Sequence, residues 1–238
     1  MKSFFAYFLG LCLFLAACKS ASPDPQPQPK PGDPGQTPTQ TDPTVPTKSA
    51  APGLGTSKQK PGGKLFSFPP GVTVVGRPTM RQEDLSLSKM LGSGELVRFC
   101  LDLANSTASP ISVELPAGLV WISDDLTVQN GLEVKPVRFE LPAKATTRVR
   151  LGTYCLNADR HEASHGDSYD PQPIILDLAS MNNLFQLLSD KKINHGETTD
   201  ELTYYQQQHI VQEGVWEVTE TGKLLPETLQ KLQKLPTK

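Results

Sequence analysis

Few side chains in this sequence are equipped for chemistry: four cysteines, four histidines and two tryptophans in 238 residues. Two of the cysteines, Cys12 and Cys18, fall in or beside an apolar N-terminal run. The other two, Cys100 and Cys155, fall in segments with strand-like alternation. Cys100 shares a face with Arg98 and Asp102, the wet one; Cys155 continues the face of Val149 and Leu151, the dry one. In an exported protein a Cys100–Cys155 disulfide is the default expectation. The opposed faces argue against it, although edge strands and bulges break such parity. The loop from Asp159 to Asp167 carries His161 and His165, four residues apart, a spacing that suits a metal only on a helix. Gly166 and its polar neighbours read as loop, so a solvated surface segment and no metal site is expected. His209 reads as a packed or half-exposed histidine. No nucleophile elbow, phosphate loop or Cys-x-x-Cys pair occurs. No cofactor is expected, and a hydrolase or metal-dependent enzyme is disfavoured.

Two local motifs stand out. The first is Tyr154-Cys155-Leu156-Asn157, at a strand end and before a polar loop that runs to Tyr169. The second is Val211-Gln212-Glu213-Gly214-Val215-Trp216, in a helical segment. Together they resemble the thioester domains of Gram-positive surface adhesins. Those domains carry a Tyr-Cys-aromatic/aliphatic-Asn/Asp element and, downstream, a Thr-Gln-x-Ala-Ile/Val-Trp helix. The resemblance implies that Cys155 supplies a sulfur and Gln212 an acyl carbon to an internal thioester that captures amines. Tyr154, Asn157 and Trp216 would support it, with Trp216 one helical turn beyond Gln212. Val211 stands where the family has Thr, and Gly214 where it has Ala. A relative that shares the fold without the bond is the alternative.

The N-terminus reads MKSFFAYFLGLCLFLAA, one lysine before an uncharged apolar run. That is a secretory signal, and its run of about 14 residues is short for a bilayer span. It ends in Leu15-Ala16-Ala17-Cys18, which resembles the bacterial lipobox. The resemblance implies a diacylglyceryl chain on the Cys18 sulfur, cleavage before Cys18 and acylation of the new amino terminus. Several acyl chains anchor stably where one does not. Cys12 leaves with residues 1–17. Lys19, where an aspartate favours inner-membrane retention, leans toward the outer membrane. Eleven of the 22 prolines then fall between Lys19 and Lys64, without one aromatic residue. Such a stretch has nothing to bury and reads as a disordered tether over residues 18–64.

The elements that must position the chemistry follow the tether. Val97, Phe99, Leu101 and Leu103 alternate with Arg98, Cys100 and Asp102. Ile111–Leu115, Val137–Leu141 and Val149–Leu151 repeat the pattern, with turn residues between them, as at Asn130-Gly131. Period-two segments at this spacing predict an immunoglobulin-like antiparallel β-sandwich over 65–156. After Cys155 the period lengthens. Leu178, Met181, Leu184, Phe185 and Leu188 predict one helix. Thr199 is a candidate N-cap for a second, with Leu202, Tyr205, His209, Gln212, Trp216 and Thr219 along one face and Gly222 as its stop. Pro226 opens a third. The fold class is therefore α+β, a sandwich followed by two or three helices over 157–238 packed on it.

The charge, 23 basic against 25 acidic side chains, excludes a general nucleic-acid binder. The expected function is a membrane-anchored lipoprotein presenting a non-enzymatic envelope or cell-surface interaction module. Its partners would be the membrane, through the lipid, and a protein or glycan ligand. The alternative is a covalent surface adhesin with a Cys155–Gln212 thioester.

Overall fold

The computed structural model describes residues 51–80, 90–198 and 200–238. The signal, Cys18, Lys19, most of the tether and the candidate cap Thr199 lie outside the described residues. No described helix is long and apolar enough to cross a membrane.

The fold is α+β, a mostly antiparallel sheet region followed by three helices. Its strands are β1 (Gly63–Leu65), β2 (Val72–Val74), β3 (Met90–Gly92), β4 (Val97–Asn105), β5 (Ile111–Leu115), β6 (Leu119–Trp121), β7 (Gly131–Leu132), β8 (Val137–Leu141), β9 (Ala145–Cys155) and β10 (Ile174–Leu176). The helices are α1 (Ala179–Leu188), α2 (Glu201–Thr221) and α3 (Pro226–Gln233). The main sheet runs β1-β10-β6-β7-β9-β4-β2, with β3 also on β9, and β5 pairs with β8 in a separate two-stranded sheet.

β9 organises the sheet. Antiparallel to β4, it pairs from Val97↔Thr153 to Asn105↔Ala145. Where the strands are half wet, charges oppose each other, so Asp102 faces Arg148 and their side chains meet at 2.8 Å. β3 joins β9 in parallel, Met90↔Arg150 to Gly92↔Gly152, against the all-antiparallel expectation. The reason is a close turn: Ser93 N and Gly94 N both donate to Gly152 O, at 3.1 and 2.9 Å. A Cβ on Gly94 would sit 1.9 Å from the Thr153 carbonyl carbon, so only glycine passes there.

Toward its C-terminus β9 becomes buried on both faces. One face joins Leu101, Leu103, Leu119, Trp121 and Val149, covered by Val113, Leu115, Val137 and Leu141 of the β5–β8 pair. The other face, with Tyr154 and Leu156, joins Val120 and Ile122 and the helical residues Met181, Leu184, Leu188, Val211, Val215 and Leu232. The run Leu119–Ile122 sends alternate side chains to the two cores. A strand buried on both faces shows no polar alternation.

Several expectations are corrected. The tether does not extend to Lys64: Leu54 is buried in the helical core, and Gly63–Leu65 pairs with β10. Residues 157–238 are not wholly helical, since they supply β10. Asn130-Gly131 is not an exposed turn; Asn130 is buried and Gly131 belongs to β7. Cys100 is buried rather than wet, because Thr79 bridges to it. On α2 the cap is Asp200, whose side chain accepts from Thr203 N, and Gly222 closes the helix in the left-handed region. The buried residues of α2 are Tyr204, Gln207, Gln208, Val211, Gln212, Gly214, Val215, Val218 and Thr219, so the expected stripe is rotated: Leu202 and Tyr205 are exposed.

Glu133, just past β7, is 1% exposed, and neither carboxyl oxygen has a hydrogen-bond partner among the described residues. Burial raises its carboxyl well above the usual 4.5. The folded chain thus keeps a proton that the unfolded chain releases, and stability falls as pH rises from about 4.5 through the raised folded value. Glu133→Gln should therefore gain about 1–3 kcal/mol over the parent at pH 8. Denaturant unfolding at several pH values should show that gain shrink toward zero below about pH 4.5.

Candidate functional site

Cys155 ends β9 and is fully buried, and Gln212 of α2 is 4% exposed. They lie against each other. The Cys155 N–H donates to Gln212 Oε1 at 2.8 Å, and Gln212 Nε2 donates to Cys155 O at 2.8 Å. Successive residues of a strand present their peptide groups to opposite edges. Leu156 N accordingly donates to Asn130 O, next to β7, while Cys155 presents its peptide groups to the other edge. On that edge β4 stops at Val97, opposite Thr153. One carboxamide, with a donor and an acceptor side by side, continues the ladder past the end of β4.

The sulfur is seated by the next turn of chain. Cys155 Sγ donates to Asn157 O at 3.2 Å and accepts from Asn157 N at 3.3 Å. The Asn157 side chain is in turn pinned. Its Oδ1 accepts from Asn130 Nδ2 at 3.0 Å, and its Nδ2 donates to Gly53 O at 2.6 Å. Asn130 Oδ1 accepts from Ser123 N at 2.9 Å, which fixes that amide too. Tyr154 points to the other face of β9, where its hydroxyl donates to Gln208 Oε1. Gln208 lies one turn before Gln212 and donates to Ile193 O at 2.9 Å. The two glutamines therefore fasten α2 to two consecutive residues of β9.

Burial pushes the Cys155 thiol up to about 12, while the Asn157 amide, the Trp216 indole and the Arg160 charge pull the other way. At neutral pH it is a protonated, shielded thiol. The buried Trp216 Nε1–H is close enough to the sulfur to favour the thiolate, yet it makes no hydrogen bond of good geometry among the described residues. A cavity of about 260 Å³ reaches Gln212 from outside, lined also by Leu96, Tyr154, Tyr205, His209 and Trp216, among others; Cys155 is not part of its lining. All five residues singled out from the two motifs, Tyr154, Cys155, Asn157, Gln212 and Trp216, thus converge. The two departures have packing causes. Val211 is fully buried in the helical core, and a Cβ on Gly214 would stand 3.0 Å from Leu232 Cδ1.

A Cys100–Cys155 disulfide is ruled out by register. Cys100 lies opposite Arg150, five residues before Cys155 on β9, a separation of roughly 16 Å along the strand, beyond disulfide reach. In the Asp159–Asp167 loop, His161 bridges to Val128 and Asp167 caps Ser164. No group of three or more His, Cys, Asp or Glu among the described residues is placed to hold a metal. Reading the sequence missed Asn130, Gln208, Arg160 and the Gly53 carbonyl; none carries a local signal, since each matters through a partner at least 15 residues away.

Gln212→Leu keeps the bulk but strands a buried donor and a buried acceptor at Cys155. It should cost about 1–3 kcal/mol in denaturant unfolding, whereas Gln206→Leu, at an exposed position of the same helix, should cost under about 0.5 kcal/mol.

No family model, curated protein or solved structure matches this chain.

Proposed function

We propose that the chain is a bacterial lipoprotein, held through Cys18 to the envelope on the outer-membrane side. It presents a non-enzymatic surface module in which Cys155 and Gln212 form an internal thioester that captures amines. The observation that carries this reading is the reciprocal contact of the Gln212 carboxamide with Cys155. The β5–β8 pair laid over the β4–β9 face is read, on the same proposal, as the smaller sheet of an immunoglobulin-like sandwich.

The chemistry balances within the chain. The Cys155 sulfur adds to the Gln212 carboxamide carbon, the C–N bond breaks, and ammonia leaves with the thiol proton. An incoming primary amine then forms an amide with that carbon, the C–S bond breaks, and the thiol recovers a proton. In both steps negative charge develops on Gln212 Oε1. The Cys155 N–H, 2.8 Å away, already points at that atom, within the range for oxyanion stabilisation. Ammonia release would cost Cys155 O its donor, so the clasp is exchanged for a covalent bond rather than merely added to. Burial on both faces of β9 would keep water from the product.

A second reading has its own support. The thiol engages Asn157 rather than the carboxamide carbon, and burial holds it protonated. That suits a non-covalent module on a related fold, with the cavity beside Trp216 taking a protein or glycan ligand.

Intact mass of purified Cys18→Ser protein separates the two. The thioester predicts a deficit of one ammonia that is abolished by Cys155→Ala or Gln212→Ala, and is replaced by a methylamine adduct on incubation. An unmodified mass, with the Cys155 thiol titratable only after denaturation, would sink covalent capture. The anchor is checked separately by cell fractionation. The parent should stay with membranes in high salt and Cys18→Ser should move to the soluble fraction; retention of the variant would refute lipid anchoring at Cys18.

A further inference from the structure

The first described residues form a strap. Leu54 N donates to Ala51 O at 3.2 Å, Ser57 N donates to Leu54 O at 2.9 Å, and Gly53 N donates to Ser57 Oγ at 3.0 Å. Gly53 has φ +77, and a Cβ there would lie 2.2 Å from the Pro61 nitrogen, so the fold-back requires glycine. Leu54 is 3% exposed and packs in the same core as Leu156.

The strap is fastened to the segment that follows Cys155. Arg160 Nη2 donates to Ser57 O at 2.7 Å and to Gln59 O at 2.9 Å. Asn157 Nδ2 donates to Gly53 O at 2.6 Å. Leu54 does not cover the sulfur, because it packs on the opposite face of β9 from Cys155. Its link to the thiol runs through Asn157, whose peptide N–H and C=O hold Sγ on one side while its side chain holds the strap on the other.

We propose that the strap Ala51–Gln59 controls the thiol: docked, it fixes Asn157 and seals Cys155; undocked, it lets the 157–160 segment relax and water and solutes reach the sulfur. Undocking would take two acceptors from the charged guanidinium of Arg160, a buried residue, which drives that segment outward. The segment that controls the site is the one through which the domain continues toward Cys18. This rests on the reading of Cys155 as the functional group, and concerns what regulates it.

The test uses the Cys18→Ser chain carrying Cys100→Ala and Gln212→Ala, so that Cys155 is the reporting thiol of the domain, free whichever way the thioester question falls. The reaction rate with an aromatic disulfide reagent under native conditions is compared with amide hydrogen exchange at Leu54 and Ser57. Adding Leu54→Asp should abolish protection of those amides and speed the thiol reaction at least tenfold. Arg160→Ala should do so less, and Arg160→Lys, which keeps the charge but not the two-carbonyl fork, should fall between. Leu103→Ala, a cavity opposite Thr147 and eight residues from Cys155 along β9, controls for general loosening and should leave the rate near that of the parent. Unprotected strap amides with an unchanged rate would overturn the proposal. So would an acceleration with the strap still protected, or an equal one in Leu103→Ala.

Discussion

A single carboxamide holds the two halves of this domain in register. β9 ends two residues past the reach of β4, at a point where cores on both faces exclude water. An unpaired peptide there would carry the full desolvation penalty of a buried donor and acceptor. Gln212 removes it by standing in for a strand, and in doing so it sets where α2 lies on the sheet. Gln208, four residues earlier and so about 6 Å along the helix axis, grips the hydroxyl of the neighbouring Tyr154. With both glutamines engaged, α2 can neither slide nor rotate by a residue without breaking buried bonds. The packing of α1 and α3 then follows from the face of α2 that remains.

The same arrangement sets the reactivity of the sulfur. Burial raises the thiol far from neutrality, which slows any attack by Cys155. Yet the N–H of that residue is aimed at the oxygen on which charge would gather, and the carboxamide is immobilised beside it. On the proposed thioester, placement and water exclusion would stand in for an activated nucleophile, a trade that suits a bond formed once and then kept.

How much was legible in the sequence follows from how local each signal is. β4, β5 and β8 were visible because their alternation records one wet and one dry face. α1, the start of α3 and the stop at Gly222 were visible because helix periodicity and capping are local. β6 and β7 were not, since a strand buried on both faces is uniformly apolar or very short. The α2 stripe was misplaced for a different reason: nearly half of its buried face is polar, with Gln207, Gln208, Gln212 and Thr219 inside, so apolar periodicity cannot find it. The strap was lost because Pro, Gly and Lys composition reads as disorder. One leucine and three accepted carbonyl bonds hold part of it in place.

The residues of the two motifs do meet in the fold, because they are chosen for partners rather than for propensity. A glutamine on a buried helix face is costly unless something completes its hydrogen bonds, so its presence already implies a buried peptide group opposite. Where the chain departs from the thioester-domain pattern, the substituted positions face the helices, not the sulfur. Val211 fills the helical core, and the missing methyl at Gly214 makes room for Leu232. The atoms that the proposed chemistry needs are set by β9 and α2 for the N–H and the carboxamide, and by Asn157 for the sulfur. Val211 and Gly214 instead bear on how α2 meets its neighbouring helices.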